Sequence, residues 1–134
     1  MLLMAPLAGR ILIVDDDAVL LKVMEAYLSR LGYLVDACSS AAQALALLEA
    51  GPSLYTGALV DLNMPGMRGE ELVYRILDWN ASIRLVVVSG NPAGFGGMEA
   101  LDRHRVSFLN KPFAPQELAG ALTPPTSPAT SPAT

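Results

Sequence analysis

Ile11-Leu12-Ile13-Val14-Asp15-Asp16-Asp17 is a run of four aliphatic residues, three of them β-branched, stopped by three consecutive acids. Such a run suits a short strand buried on both faces of a sheet. Downstream, Leu20, Val23, Met24, Tyr27, Leu28 and Leu31 recur at i, i+3, i+4 spacing and predict a helix that buries this face. Gly32 stands where a left-handed cap would end it. Strand and helix in this order form the first half of a βαβ unit.

The rest of the chain repeats the alternation. A second strand is predicted at Tyr33–Ala37, and Ser40 with Gln43 three residues on has the spacing of a capping box. An Ala- and Leu-rich helix then runs to Gly51-Pro52. The third strand, Ala58-Leu59-Val60, leads into Asp61. After a loop with Pro65 and Gly66 comes a helix from about Glu70 to Trp79. The fourth strand is Arg84–Val88, bounded by Ser89-Gly90, and the fifth is Val106–Leu109, followed by Lys111-Pro112. A last short helix, Pro115–Leu122, starts with the proline that favours a first helical turn. Gly94-Phe95-Gly96-Gly97 disfavours a fourth helix at about 1 kcal/mol per glycine, so a long loop and a short helix from about Met98 to Arg103 are expected there. Five alternations imply right-handed crossovers and an α/β, doubly wound, five-stranded parallel sheet with shortened fourth and fifth helices.

The 134 residues fit one domain, and 52% hydrophobic against 16% charged residues fits a sheet covered on both faces. Residues 1–9 read as a short leader, since Met1–Ala8 has no early positive charge and is interrupted by Pro6. Residues 10–122 form the domain. Residues 123–134, with Thr-Ser-Pro-Ala repeated, read as a low-complexity Pro/Thr/Ser tail. No apolar run approaches the ~20 residues of a membrane span. A single cysteine, Cys38, forms no internal disulfide and points to a cytoplasmic setting. The net charge of −4 and scattered lysines and arginines exclude direct nucleic-acid binding.

In open parallel sheets, ligands bind outside the carboxyl ends of the strands. Asp15 and Asp16 follow the first strand, Asp61 ends the third, Ser89 ends the fourth and Lys111 follows the fifth. Three carboxylates in one pocket repel each other unless a cation joins them, and Mg²⁺ (or Mn²⁺) suits an all-oxygen cluster. A carboxylate can attack phosphorus to form an acyl phosphate, with Lys111 and the cation balancing the incoming charge and Ser89 donating to a phosphoryl oxygen. Singly, each feature has a plainer reading: Asp17 caps the first helix, Asn63-Met64-Pro65-Gly66 makes a turn, Phe108 fills the core. Met64 and Met67 are either adaptable partner contacts or loop filling. His104, between arginines, is a surface residue.

Four stretches together resemble the receiver domains of two-component response regulators: residues 11–17, Leu-Val-Asp-Leu-Asn-Met-Pro-Gly-Met (59–67), Val-Val-Val-Ser-Gly (86–90) and Phe-Leu-Asn-Lys-Pro-Phe (108–113). The resemblance covers about Arg10–Leu122 and implies a flavodoxin-like fold of strand order 2-1-3-4-5. It implies that Asp61 is the phosphoacceptor, that Asp15, Asp16, Asp61 and the Asn63 backbone carbonyl hold the metal, and that Lys111 reads the phosphoryl group. Ser89 and Phe108 match the switch positions, and Pro112 matches a proline after a cis peptide. Asn63 and Asn91 match positions that tune phosphoryl lifetime; both are neutral amides, which implies a lifetime not prolonged by apolar shielding.

On this resemblance the chain is a phosphoacceptor that catalyses its own phosphoryl transfer and dephosphorylation, not an enzyme acting on another substrate. Its donor partner would be a histidine kinase or histidine phosphotransfer protein, with an unidentified downstream protein; dimerisation stays open. It would be a stand-alone receiver or one excised from a hybrid sensor kinase. Two rivals differ in class. A degenerate receiver would be a pure interaction module, but such members typically lack the acceptor, lysine or acidic pair. A haloacid-dehalogenase-type phosphatase expects a general-acid aspartate where Asn63 stands.

Overall fold

The computed structural model describes residues 9–51, 54–66, 69–80, 82–90, 95, 98, 101 and 104–123. Within them the order is β1 (Gly9–Val14), α1 (Ala18–Arg30), β2 (Tyr33–Cys38), α2 (Ala41–Ala50), β3 (Gly57–Asp61), α3 (Gly69–Trp79), β4 (Arg84–Ser89), β5 (Val106–Asn110) and α4 (Pro115–Leu122). The five strands make one parallel sheet of order β2-β1-β3-β4-β5. This is the doubly wound, flavodoxin-like arrangement expected.

The pleat sorts the core into two layers. Ile11, Ile13, Leu59, Val86 and Val88 face Leu21, Met24 and Leu28 of α1 and Leu118 and Leu122 of α4. Leu12, Val14, Ala58, Val60, Leu85 and Val87 face α2 and α3. Successive strand residues therefore serve opposite layers, and β1, β3 and β4 are buried on both sides. Each fully buried aliphatic side chain contributes about 1.5–3 kcal/mol.

Local signals behave largely as their chemistry requires. Asp17 caps α1, accepting from Val19 N–H and Leu20 N–H at 3.1 Å each. Gly32 follows α1 with φ of 99°, the left-handed value that favours glycine. Ser40 caps α2 through Gln43 N–H at 3.2 Å. The reciprocal half of the capping box goes elsewhere: Gln43 Oε1 accepts from the backbone N–H of Ser39, at 2.8 Å, and from its hydroxyl.

Three expectations need correction. The buried face of α1 is Leu21, Met24 and Leu28, whereas Val23 and Leu31 are 46% and 47% exposed. The helix has more apolar residues than one face holds, so spacing alone selected a rotated stripe. Gly9 is the first residue of β1 rather than the end of a leader. Thr123 belongs with α4, whose end it closes by donating its N–H and hydroxyl to Ala119 O at 3.2 and 2.9 Å. Residues 1–8, the glycine-rich stretch apart from Phe95, most of the expected 98–103 helix and residues 124–134 lie outside the described residues.

Candidate functional site

The strand phase decides which polar side chains meet. Asp61 closes β3 in the phase of Leu59, Asp15 follows β1 in the phase of Ile13, and Lys111 follows β5 in the phase of Leu109, all on the α1/α4 side of the sheet. The three converge: Lys111 Nζ lies 2.9 Å from Asp15 Oδ2 and 3.1 Å from Asp61 Oδ2. Both acids are buried, Asp15 completely and Asp61 at 1% exposure.

Their rotamers are set by the same local device. Asp15 Oδ1 accepts from the N–H of Asp17 at 2.9 Å, and Asp61 Oδ1 accepts from the N–H of Asn63 at 3.0 Å. Each is a carboxylate bonded to the backbone two residues on, a habit of aspartate at turns. With one oxygen tied down in this way, the other turns to the lysine. Asp16 is exposed, yet ligand oxygens of Asp15, Asp16 and Asp61 lie within 4.8 Å of one another.

Among the described residues, acids outnumber bases here. Burial pushes the Asp15 carboxyl above its ordinary value of 3.8; the Asp17 amide and Lys111 act against this, and the charge of Asp61 adds to it. Burial opposes the charged form of Lys111, but its contacts with Asp15 and Asp61 outweigh that and raise it above 10.5. Among the described residues three carboxylates thus gather around one ammonium, which holds Asp15 Oδ2 at 2.9 Å and Asp61 Oδ2 at 3.1 Å. A hard divalent cation answers this donor set: it takes carboxylate oxygens at close range and fills its remaining positions with water or phosphate.

The neighbouring strand ends complete the rim. Ser89, 1% exposed, ends β4. Its hydroxyl donates to Asn63 Oδ1 at 3.4 Å, and the same oxygen accepts from Gly90 N–H at 2.8 Å. Lys111 N–H donates to Ser89 O at 2.9 Å, and the Lys111–Pro112 peptide is cis, at the place expected. Asp17, Leu20, Gly90, Lys111, Pro112 and Phe113 line an adjoining cleft of about 410 Å³. Phe108 points to the other layer, where its ring packs 4.9 Å from that of Phe95, tilted by 58°. Asn91 and Met67 lie outside the described residues. Met64 is 7% exposed and belongs to the core, so it fills the loop rather than facing outward.

Sequence reasoning missed one residue outright, and one contact of a residue it had named. At Gly69, which opens α3, an added Cβ would sit 2.6 Å from Leu62 Cα and 2.8 Å from Asp61 O. The helix start thus presses on the backbone of the acidic loop, and only glycine permits it; the available signal was a glycine at a helix start that usually prefers a polar cap. The contact is that of the Asn63 side chain, a position named above for its carbonyl and for phosphoryl lifetime, whose bonds to the β4 loop depend on a residue 27 positions away. Cys38 is buried, and burial, reinforced by Asp36, pushes its thiol up to about 11, so it is an inert core group. His104 is exposed, as expected.

Comparison with known proteins adds the family. Residues 11–123 match the response regulator receiver domain. The chain is 34% identical over 115 residues to the two-component response regulator ARR14 of Arabidopsis thaliana, covering 84% of this chain and 30% of that protein. It is 32% identical over 112 residues to the C4-dicarboxylate transport transcriptional regulatory protein DctD of Rhizobium meliloti, covering 83% and 24%. The chain therefore spans less than a third of the length of these relatives. Among solved structures, a response regulator receiver protein from Sinorhizobium medicae superposes with a TM-score of 0.74 at 28% identity, covering 86% of this chain and 91% of that one. With its sheet order, its acids at the ends of β1 and β3 and its lysine after β5, this chain belongs to the response regulator receiver domain family.

Proposed function

We propose that this receiver accepts a phosphoryl group on the carboxylate of Asp61, from a phosphohistidine of a histidine kinase or histidine phosphotransfer protein. The observation that carries the reading is the buried Asp61 carboxylate, 3.1 Å from Lys111 and within the same acidic group as Asp15 and Asp16. An oxygen of Asp61 forms a bond to phosphorus as the phosphorus–nitrogen bond of the donor breaks, and the imidazole nitrogen keeps the electron pair and takes up a proton. Lys111 stays beside the site to balance the charge that spreads over the phosphoryl oxygens in transfer. Asp15, Asp16, Asp61 and the Asn63 carbonyl would hold Mg²⁺ or Mn²⁺, which when bound supplies positive charge to those oxygens. Asp17, Leu20, Pro112 and Phe113 line the cleft through which a donor imidazole would approach.

After transfer, the Ser89 hydroxyl turns to a phosphoryl oxygen and Phe108 repacks, biasing a two-state surface read by a downstream protein. The chain is then a phosphoacceptor that catalyses its own transfer and hydrolysis. Among the described residues no helix is long and apolar enough to cross a membrane, which accords with a cytoplasmic setting. The test is incubation with acetyl phosphate and Mg²⁺, followed by intact-mass measurement. We expect one phosphoryl group per chain, none without Mg²⁺ and none in Asp61→Ala. Incorporation that persists in Asp61→Ala would overturn the reading.

A further inference from the structure

Two donors at the mouth of the site, Gly90 N–H and Ser89 O–H, point at one acceptor, Asn63 Oδ1, at 2.8 and 3.4 Å. Asn63 is also tied to the acceptor carboxylate, because its own N–H donates to Asp61 Oδ1 at 3.0 Å. One residue therefore links the end of β3 to the end of β4 across the site. We infer that the Asn63 side chain is a clasp: its amide oxygen stands in for a phosphoryl oxygen in the unmodified protein and competes with it for Gly90 and Ser89. The inference rests on Asp61 being the phosphoacceptor.

The physical case is one of unequal acceptors for the same donors. A phosphoryl group on Asp61 brings three strong acceptor oxygens, carrying nearly two negative charges, to the neighbourhood of these donors. Hydrogen bonds to a charged oxygen are about twice as strong as those to a neutral amide. Exchange from Asn63 Oδ1 to a phosphoryl oxygen is therefore favourable when the group arrives, and its reversal is favourable when the group leaves. Geometry allows the exchange cheaply, since Asn63 and Gly90 are both exposed and water can replace the amide. Ser89, by contrast, is buried, so its hydroxyl gains from an acceptor at every stage. The clasp gives the unmodified state a defined arrangement of the β4 end and sets how far phosphorylation must pull it. Asn63 is on this account a positioning residue, acting through Gly90 and Ser89 as well as through its backbone carbonyl.

The test uses beryllofluoride, a tetrahedral phosphoryl mimic that binds a carboxylate oxygen, at saturating Mg²⁺, with wild type, Asn63→Ala and Asn63→Leu. Two quantities are read: beryllofluoride affinity, and the hydrogen-exchange rate of the Gly90 amide in the unmodified protein, by NMR. Removing the competitor should tighten beryllofluoride binding about fivefold, the equilibrium worth of one ordinary hydrogen bond, and should speed Gly90 exchange by a similar factor. Both variants change an exposed side chain and keep the backbone carbonyl, so folding and the metal ligand are retained. Gly90 exchange unchanged in both variants, or an affinity that is unchanged or weaker in both, overturns the clasp. No beryllofluoride response in wild type removes the phosphoacceptor reading and the competition with it. A wild-type response that neither variant alters removes the competition alone.

Discussion

The two ends of this sheet carry charge in opposite ways. At the edge where the strands begin, arginines are matched to acceptors. Arg10 pairs with Asp36 at 3.0 Å, and Tyr55 donates its hydroxyl to the same carboxylate at 2.7 Å. Arg105 bonds Asn80 O at 2.6 Å, Asn80 Nδ2 bonds Tyr55 O at 2.9 Å, and Arg84 reaches Ala121 O at 3.1 Å and His104 O. Arg105 Nε is the exception, buried without a hydrogen-bond partner. At the edge where the strands end, three carboxylates gather, among the described residues, around one lysine, which contacts Asp15 at 2.9 Å and Asp61 at 3.1 Å. At the first edge each guanidinium finds an acceptor oxygen, a carboxylate for Arg10 and backbone carbonyls for Arg84 and Arg105. Among the described residues the second edge instead gathers more carboxylates than cations, a donor set that suits a hard divalent cation.

This contrast can be broken by substitution. The largest effect belongs to a residue at the functional edge whose role is steric. Gly69→Ala forces a Cβ against Leu62 Cα and Asp61 O, backbone atoms that cannot rotate away. Urea denaturation should show a loss of about 3 kcal/mol, at the upper end of overpacking. A loss below half of this would mean that the β3–α3 loop yields more than its contacts imply.

Cation addition comes next. Mg²⁺ at a hundredfold over its Kd should stabilise wild type by about 2.7 kcal/mol by mass action. Asp15→Asn should lose this gain, while in Mg²⁺-free buffer its stability should be no lower than that of wild type, because a repulsive carboxylate is removed and Lys111 keeps Asp61. An Asp15→Asn chain that is both markedly less stable without metal and still stabilised by Mg²⁺ would equate the two edges.

The smallest of the three sharpens the other side. Tyr55→Phe deletes the hydroxyl that donates to Asp36 and should cost about 2 kcal/mol, as for a hydrogen bond to a charged group. Its gain from Mg²⁺ should equal that of wild type. A changed Mg²⁺ response would show that the starting edge is coupled to the site.

Much of this was legible in the chain, for reasons that can be named. Buried parallel strands read as continuous aliphatic runs, so β1, β3 and β4 were found to within one or two residues, and the polar residue that stops each run stands at the ligand edge. Asp15, Asp61 and Lys111 could therefore be placed together from order alone. Caps such as Asp17 were readable because they act within three residues. What escaped depends on distance or on exclusion. Asn63 Oδ1 meets Gly90 only after β3 and β4 pair, the Arg10–Asp36–Tyr55 group joins three separate segments, and Gly69 matters for an atom it lacks. The face of α1 was misread because Val23 and Leu31 are as apolar as the residues that are buried.

In the function proposed above, the acidic edge receives a phosphoryl group at Asp61. Reductive trapping tests it most directly: after reaction with acetyl phosphate and Mg²⁺, borohydride converts an acyl phosphate to the alcohol, and peptide mass mapping locates it. Homoserine is expected at residue 61 and at no other position. Trapping at another residue, or no trapped product from a chain that has taken up phosphate, would contradict it.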